Sequence, residues 1–155
     1  MFYKKYKLYD EKIEIMLPAD LNESKVFLNN QHSWISEDRR RAINISRGGG
    51  SLCEEQVLFK LDEYYQSFER DILRFDCVDI KKHMINFHTF GDIRYWSDMM
   101  GYRFYNIFML GCFEERELII TLQCMKEEQK TMKHVFDNII DSMRIRDITV
   151  KENSV

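Results

Sequence analysis

Histidine, carboxylate and arginine side chains are the groups in this chain that could do chemistry. Among the four histidines, His32, His83, His88 and His134, only His83 and His88 are close in sequence. They fall at opposite parity, so on one unbroken strand they would point to opposite faces, which disfavours a shared metal ion. A bulge near His83 would bring both to one face, and Asp79 would then complete a carboxylate–histidine set. The expectation is that all three are ordinary strand residues, with no metal and no cofactor. His134 is expected at the surface of a helix. A hydrolase would need a nucleophile, a base and an orienting group, and no G-x-S-x-G motif supplies the first. No catalytic residue is expected.

Binding chemistry is better represented. Arg39-Arg40-Arg41 follows Glu37-Asp38 and is the one compact basic patch. On a turn it is a solvated cluster, or else an anchor that offers forked contacts to an acidic partner. Gly48-Gly49-Gly50 precedes a helix, as anion-cradling turns do, but no Lys-Ser/Thr pair follows and Glu54 and Glu55 would repel phosphate. Trp34, Tyr95 and Trp96 sit near strand ends, where aromatics mostly serve the core. If exposed beside Met99, Met100 or Tyr102, they would form a partner-binding patch, because aromatic residues and methionine concentrate at interface centres. The partner-binding candidates are therefore Trp34, Arg39, Arg40, Arg41, Tyr95 and Trp96.

The elements that must position these residues follow from periodicity. Tyr6 and Leu8, then Ile13, Ile15 and Leu17, alternate with polar residues around an Asp10-Glu11 break, which predicts a hairpin with one buried face. Ala19 to His32 is irregular. Ser33–Glu37 and Ala42–Ser46 predict two short strands, and the glycine triplet is expected to end that sheet segment. Ser51 with Glu54 reads as a capping box. Leu58, Leu61, Tyr65, Phe68 and Ile72 then form one stripe of a helix reaching about Arg74, with its acidic side in water. Beyond it, Val78, Ile80 and Met84 share one parity and Ile85 and Phe87 the other, which predicts a register change near His83. Gly91 is expected to separate this stretch from Ile93–Trp96. Tyr102 to Leu110 is apolar at both parities, as a central strand covered on both faces should be. Gly111 to Glu115 is expected to turn the chain into a partner strand carrying Leu118, Ile120 and Leu122. Met132, Val135, Phe136, Ile139, Ile140 and Met143 then mark a closing amphipathic helix.

The order predicts an α+β fold: an antiparallel sheet of about six or more strands flanked by helices on both faces, an α/β/α sandwich. One domain over 1–147 and a frayed polar tail over 148–155 are expected. With 23 basic against 26 acidic residues and a net charge of −3, the chain is not a dedicated nucleic-acid binder, whose affinity comes from neutralising phosphates. The opening residues lack the apolar core of a signal peptide and no run is long enough to span a bilayer, so no membrane partner is expected. Cys53, Cys77, Cys112 and Cys124 are widely spaced without a CxxC, which predicts free, buried thiols and a cytoplasmic location.

Ile13-Glu14-Ile15-Met16-Leu17-Pro18, Ala42-Ile43-Asn44-Ile45-Ser46 before a long helix, and Phe136, Ile139 and Ser142 in the closing helix carry a likeness. In these packing motifs and in element order, the chain resembles the PsbP-like family. That fold is shared by an extrinsic photosystem II subunit, a small Ran-binding import factor and many bacterial domains. The resemblance implies a mostly non-catalytic, protein-binding role, with a bacterial branch acting as chaperones or adaptors for secreted effectors. No functional residue carries over. The leading expectation is therefore a non-catalytic protein-binding domain, an adaptor or chaperone, with another protein as partner and a homodimer through an edge strand as a further possibility. The alternative is a small-molecule binder or hydrolytic enzyme with a pocket between sheet and long helix, holding two or more of Asp79, His83, His88, Arg94 and Tyr105.

Overall fold

The computed structural model describes residues 1–24 and 31–146. The alternating N-terminal residues form β1 (Tyr3–Leu8) and β2 (Ile13–Pro18), paired in register with Leu8 opposite Ile13. A two-residue strand, β10 (Arg144–Ile145), pairs with the other side of β2, so these three form a small sheet of their own. The larger sheet has seven strands, all antiparallel, in the order β3, β4, β5, β9, β8, β7, β6. Its members are β3 (Leu21–Ser24), β4 (Gln31–Ser36), β5 (Arg41–Ser51), β6 (Asp76–Ile85), β7 (His88–Met99), β8 (Tyr102–Phe113) and β9 (Arg116–Met125). Helix α1 (Val57–Asp71) covers one face of it, and α2 (Gln129–Ser142) together with the small sheet covers the other. Neither helix is long and apolar enough to cross a membrane.

Strand β8 behaves as its two-parity apolar run predicts. Tyr105 to Phe113 are buried throughout, and alternate residues serve different cores. Phe108, Leu110 and Cys112 meet α1 residues Val57 and Leu61. Tyr105, Ile107 and Met109 join Phe90, Phe136 and Ile139 on the α2 side. Each large apolar side chain buried in this way stabilises the fold by about 1.5–3 kcal/mol.

Several expectations are corrected. The glycine triplet does not end its strand: β5 runs through it to Ser51, with its register to β9 shifting between Arg47 and Ser51. A Cβ on Gly48 would lie 2.8 Å from the Cβ of Glu117, so the glycine makes room for a buried carboxylate that accepts the Tyr64 hydroxyl at 2.9 Å. Ser51, being strand, cannot cap α1. A 3₁₀ turn (Glu54–Gln56) precedes the helix, Gln56 reaches back to the Cys53 N–H at 3.4 Å, and Glu54 accepts the backbone N–H of Thr89 instead.

The register change expected near His83 lies elsewhere. Cys77 faces Tyr95 and Asp79 faces Arg94, which leaves Val78 as the extra residue. The parity switch at Ile85 and Phe87 comes from a two-residue hairpin turn, Asn86-Phe87, with φ of 46° and 71°. Gly91 lies inside β7, where a Cβ would meet Leu61 of α1 at 2.5 Å, and does not separate two elements. Gly111, Cys112 and Phe113 are strand, so only Glu114-Glu115 turns. Part of the irregular 19–32 stretch is β3, and residues 25–30 lie outside the described residues, as does the tail expected over 148–155. The four cysteines are free, but Cys53 is exposed and Cys77 half-buried; only Cys112 and Cys124 are buried.

Candidate functional site

On the face of the sheet away from α1, cross-strand pairing lines up a polar row. Asp79 and His83 of β6 stand opposite Arg94 and Phe90 of β7, and Arg94 follows Asp92 by one full pleat, so both point the same way. His83 Nε2 lies 2.8 Å from Asp92 Oδ1 and its ring stacks on Phe90. Arg94 Nη2 is 3.7 Å from the other Asp92 oxygen, and Nη1 is 3.4 Å from Asp137 of α2. Asp92 is 1% exposed and Arg94 7%. Buried charges survive only when paired in this way. Burial pushes the Tyr105 hydroxyl above its ordinary value, with the nearby Arg94 charge pulling against the rise.

The His83–Asp92 pair has the geometry of the orienting half of a base relay. Among the described residues no serine, threonine or cysteine side chain hydrogen-bonds His83, and the Asp92 charge is taken up by Arg94. The group clamps α2 to the sheet. An open groove of about 340 Å³ lies beside it, lined by His83 to Asn86 and by Ile140, Asp141, Met143 and Arg144. It contains neither Asp92 nor Arg94. Asp79 is exposed on β6, while His88 is buried in the next strand, donating from Nδ1 to the Cys112 carbonyl at 2.9 Å with the Glu54 carboxylate 3.7 Å away. Among the described residues no three His, Cys, Asp or Glu side chains gather as a metal site. A cavity of about 290 Å³ lies between the sheet and the start of α1, lined by Gly50, Leu52, Gln56, Phe59, Lys60 and Glu117, but none of Asp79, His83, His88, Arg94 and Tyr105 lines it, which corrects the expected lining. Further along α1, Phe68, Tyr64 and Phe108 pack ring on ring, while Arg94 and Tyr105 face α2.

The partner-binding candidates separate. Trp34 is 1% exposed and packs edge-on against Tyr6 at 5.1 Å, so it is core and unavailable to a partner. Tyr95 is wedged against Phe68 and Phe75 under α1, and burial pushes its hydroxyl up to about 12. Arg41 is held by Asp20 at 3.4 Å and Glu128 at 3.2 Å, which makes it a brace and not an anchor. Arg39 and Arg40 are exposed at the β4–β5 turn, and Trp96 is half-buried on Tyr105.

The exposed apolar residues concentrate elsewhere. At the β7–β8 turn, Met99, Met100 and Tyr102 are 48, 89 and 58% exposed, and Leu73, 67% exposed, accepts the Asp98 N–H through its carbonyl. Asp98 fixes this tip by ion pairs to Arg103 at 2.9 Å and Arg74 at 3.1 Å, and Arg103 also donates to the Arg74 carbonyl. The Arg103 hydrogen bond holds the Asp98 carboxyl below its usual range. Sequence reading missed Asp92, Asp137 and Leu73. The Asp-x-Arg spacing on one strand was a signal for the first, whereas Leu73 lies just past a helix end that periodicity could not fix.

No family model matches the sequence, and no curated protein does. Solved structures do match. Cyanobacterial PsbP (CyanoP) from Synechocystis sp. PCC 6803 superposes with a TM-score of 0.67 at 8% identity, covering 92% of each chain. The chain has a PsbP-like fold. The T6SS immunity protein TplEi from Pseudomonas aeruginosa matches at a TM-score of 0.55 and 14% identity, over 86% of this chain and 45% of TplEi. The same protein complexed with an "L" peptide matches at 0.53 and 15%, over 86% and 48%. The chain thus spans less than half of TplEi. At these identities the PsbP-like likeness is one of architecture, carried by the sheet and its two covering helices.

Proposed function

We propose that this chain is a non-catalytic protein-binding domain, an adaptor or chaperone for a partner protein in the cytoplasm, and that the partner docks on the β7–β8 tip. The observation that carries this reading is the apolar tip itself, braced from below by ion pairs. Leu73, Met99, Met100 and Tyr102 stay in water while the Arg74–Asp98–Arg103 network holds the backbone beneath them. Burying each large apolar side chain against a partner is worth about 1.5–3 kcal/mol. A preformed tip loses little entropy on binding, so more of that gain appears as affinity. Methionine adapts to irregular partner surfaces, which suits an adaptor. TplEi, which shares this fold over about half of its length, has been solved complexed with an "L" peptide, and this accords with the reading.

The test is comparative capture. Bait carrying Met100→Asp with Tyr102→Ala should lose partners that the unaltered chain retains, while Phe59→Asp, at an equally exposed site on α1, should keep them. Equal recovery by all three baits would refute docking at the tip.

A further inference from the structure

Strand β6 is the last strand of the large sheet. Its inner side pairs with β7, and among the described residues no strand covers its outer side. An open row of backbone N–H and C=O groups is a template for another strand. Val78, Ile80 and Met84 on this strand are 54, 48 and 63% exposed. Lysines normally blunt such an edge, and β6 carries Lys81 and Lys82. Asp79 changes that outcome, because it lies one pleat from Lys81 on the same face, and both are exposed.

This spacing is self-complementary. Residues directly opposite in an antiparallel pair share a face, so a twofold axis between two β6 strands must pass through a residue. With the axis at Ile80, Asp79 of each copy stands opposite Lys81 of the other, twice, while the two Ile80 side chains meet on the other face. An axis at Lys81 sets that lysine against itself, and an axis at Asp79 does the same to the carboxylate. An axis at Lys82 also sets a lysine against itself, and an axis at His83 leaves Asp79 and Lys81 facing Phe87 and Ile85, so of these registers only the one at Ile80 brings opposite charges together. We infer that β6 pairs antiparallel with β6 of a second copy of this chain about an axis at Ile80, joining two seven-stranded sheets into one. The contact is isologous and closes at two copies. The extra residue at Val78 twists the strand beyond this centre and limits how far the pairing runs, and by mass action the dimer fraction rises with concentration.

The experiment is sedimentation equilibrium at low salt over a range of concentrations. The unaltered chain should rise from 18.9 kDa towards twice that mass. Asp79→Lys and Lys81→Asp should each weaken association by about tenfold, since two attractive cross-strand pairs become repulsive ones. The double variant D79K/K81D restores opposite charges and should recover the dimer, and 0.5 M salt should weaken the unaltered dimer. Both positions are exposed, so the variants should keep the unaltered circular dichroism spectrum. A monomer at every concentration, a dimer that the single variants leave intact, or a double variant as weak as either single one would overturn the inference.

Discussion

Gly111 stands directly opposite Phe90 across the β7–β8 pair, and the Cβ it lacks would lie 2.5 Å from the Phe90 ring. The ring is fully buried, so it fills the space that a side chain at 111 would need. Gly111→Ala is therefore expected to cost about 1–3 kcal/mol through overpacking. In a Phe90→Leu background the same change should cost visibly less. Urea unfolding of the four proteins gives the coupling, and strict additivity would show that the two residues do not compete for space.

Asp92 neutralises Arg94 in the interior, and only Asp137 would remain to do so in Asp92→Ala. Leaving a buried charge underpaired costs about 3–5 kcal/mol. Asp92→Ala should therefore destabilise strongly, and Asp92→Leu combined with Arg94→Met should regain most of the loss. A urea midpoint unchanged in Asp92→Ala would show that the pair is not what clamps α2 to the sheet.

Phe87 occupies a turn position with φ of 71° and is 67% exposed. Two-residue hairpin turns of this kind prefer Asn-Gly, because a side chain at positive φ is strained. Phe87→Gly should raise stability by about 1 kcal/mol, seen as a higher melting temperature. A lower one would mean that the ring makes a contact worth more than the strain.

Alkaline pH should loosen the fold before it affects the backbone. Burial, aided by Glu117, pushes the Tyr64 hydroxyl up to about 12, burial alone does the same to Tyr95, and burial raises the Cys124 thiol to about 12. These groups ionise in the unfolded chain near 9–10 and hold their protons longer when folded. Their contribution is thus complete below that range and disappears as pH climbs towards about 12. Urea midpoints measured from pH 8 to 11.5 should fall, and Tyr95→Phe should fall less steeply than the unaltered chain. Parallel curves would exclude Tyr95 as a source.

The fold was largely legible in the sequence because burial leaves a periodic trace. Tyr102 to Leu110 announced a strand covered on both faces, and the Met132–Met143 stripe announced α2. The α1 cap was misread because Ser51 satisfies a local pattern while its backbone is committed to pairing with β9. The turn at Asn86-Phe87 was hidden because neither residue is the glycine or proline that usually marks a turn, and the turn at Glu114-Glu115 was drawn too wide because Gly111, a strand residue, looked like its start. The site was less legible still. Trp34 and Tyr95 looked available because aromatic identity does not report depth, and Arg41 looked like a free cation because Asp20 and Glu128 are distant in the chain. Asp92, Arg94 and Asp137 meet only when α2 lies across the sheet, a contact that no local pattern encodes.

Strands β6, β7, β8 and β9 stand side by side in the order of the chain, with successive hairpins closing after two residues. Such a ribbon can zip up from nearby contacts alone, whereas β5 must wait to find β9 across the whole helix–meander excursion between them. The meander is thus the natural kinetic nursery of the molecule. Deuterium should enter β3, β4 and β5 under conditions where the amides of β7 and β8 still hold their protons.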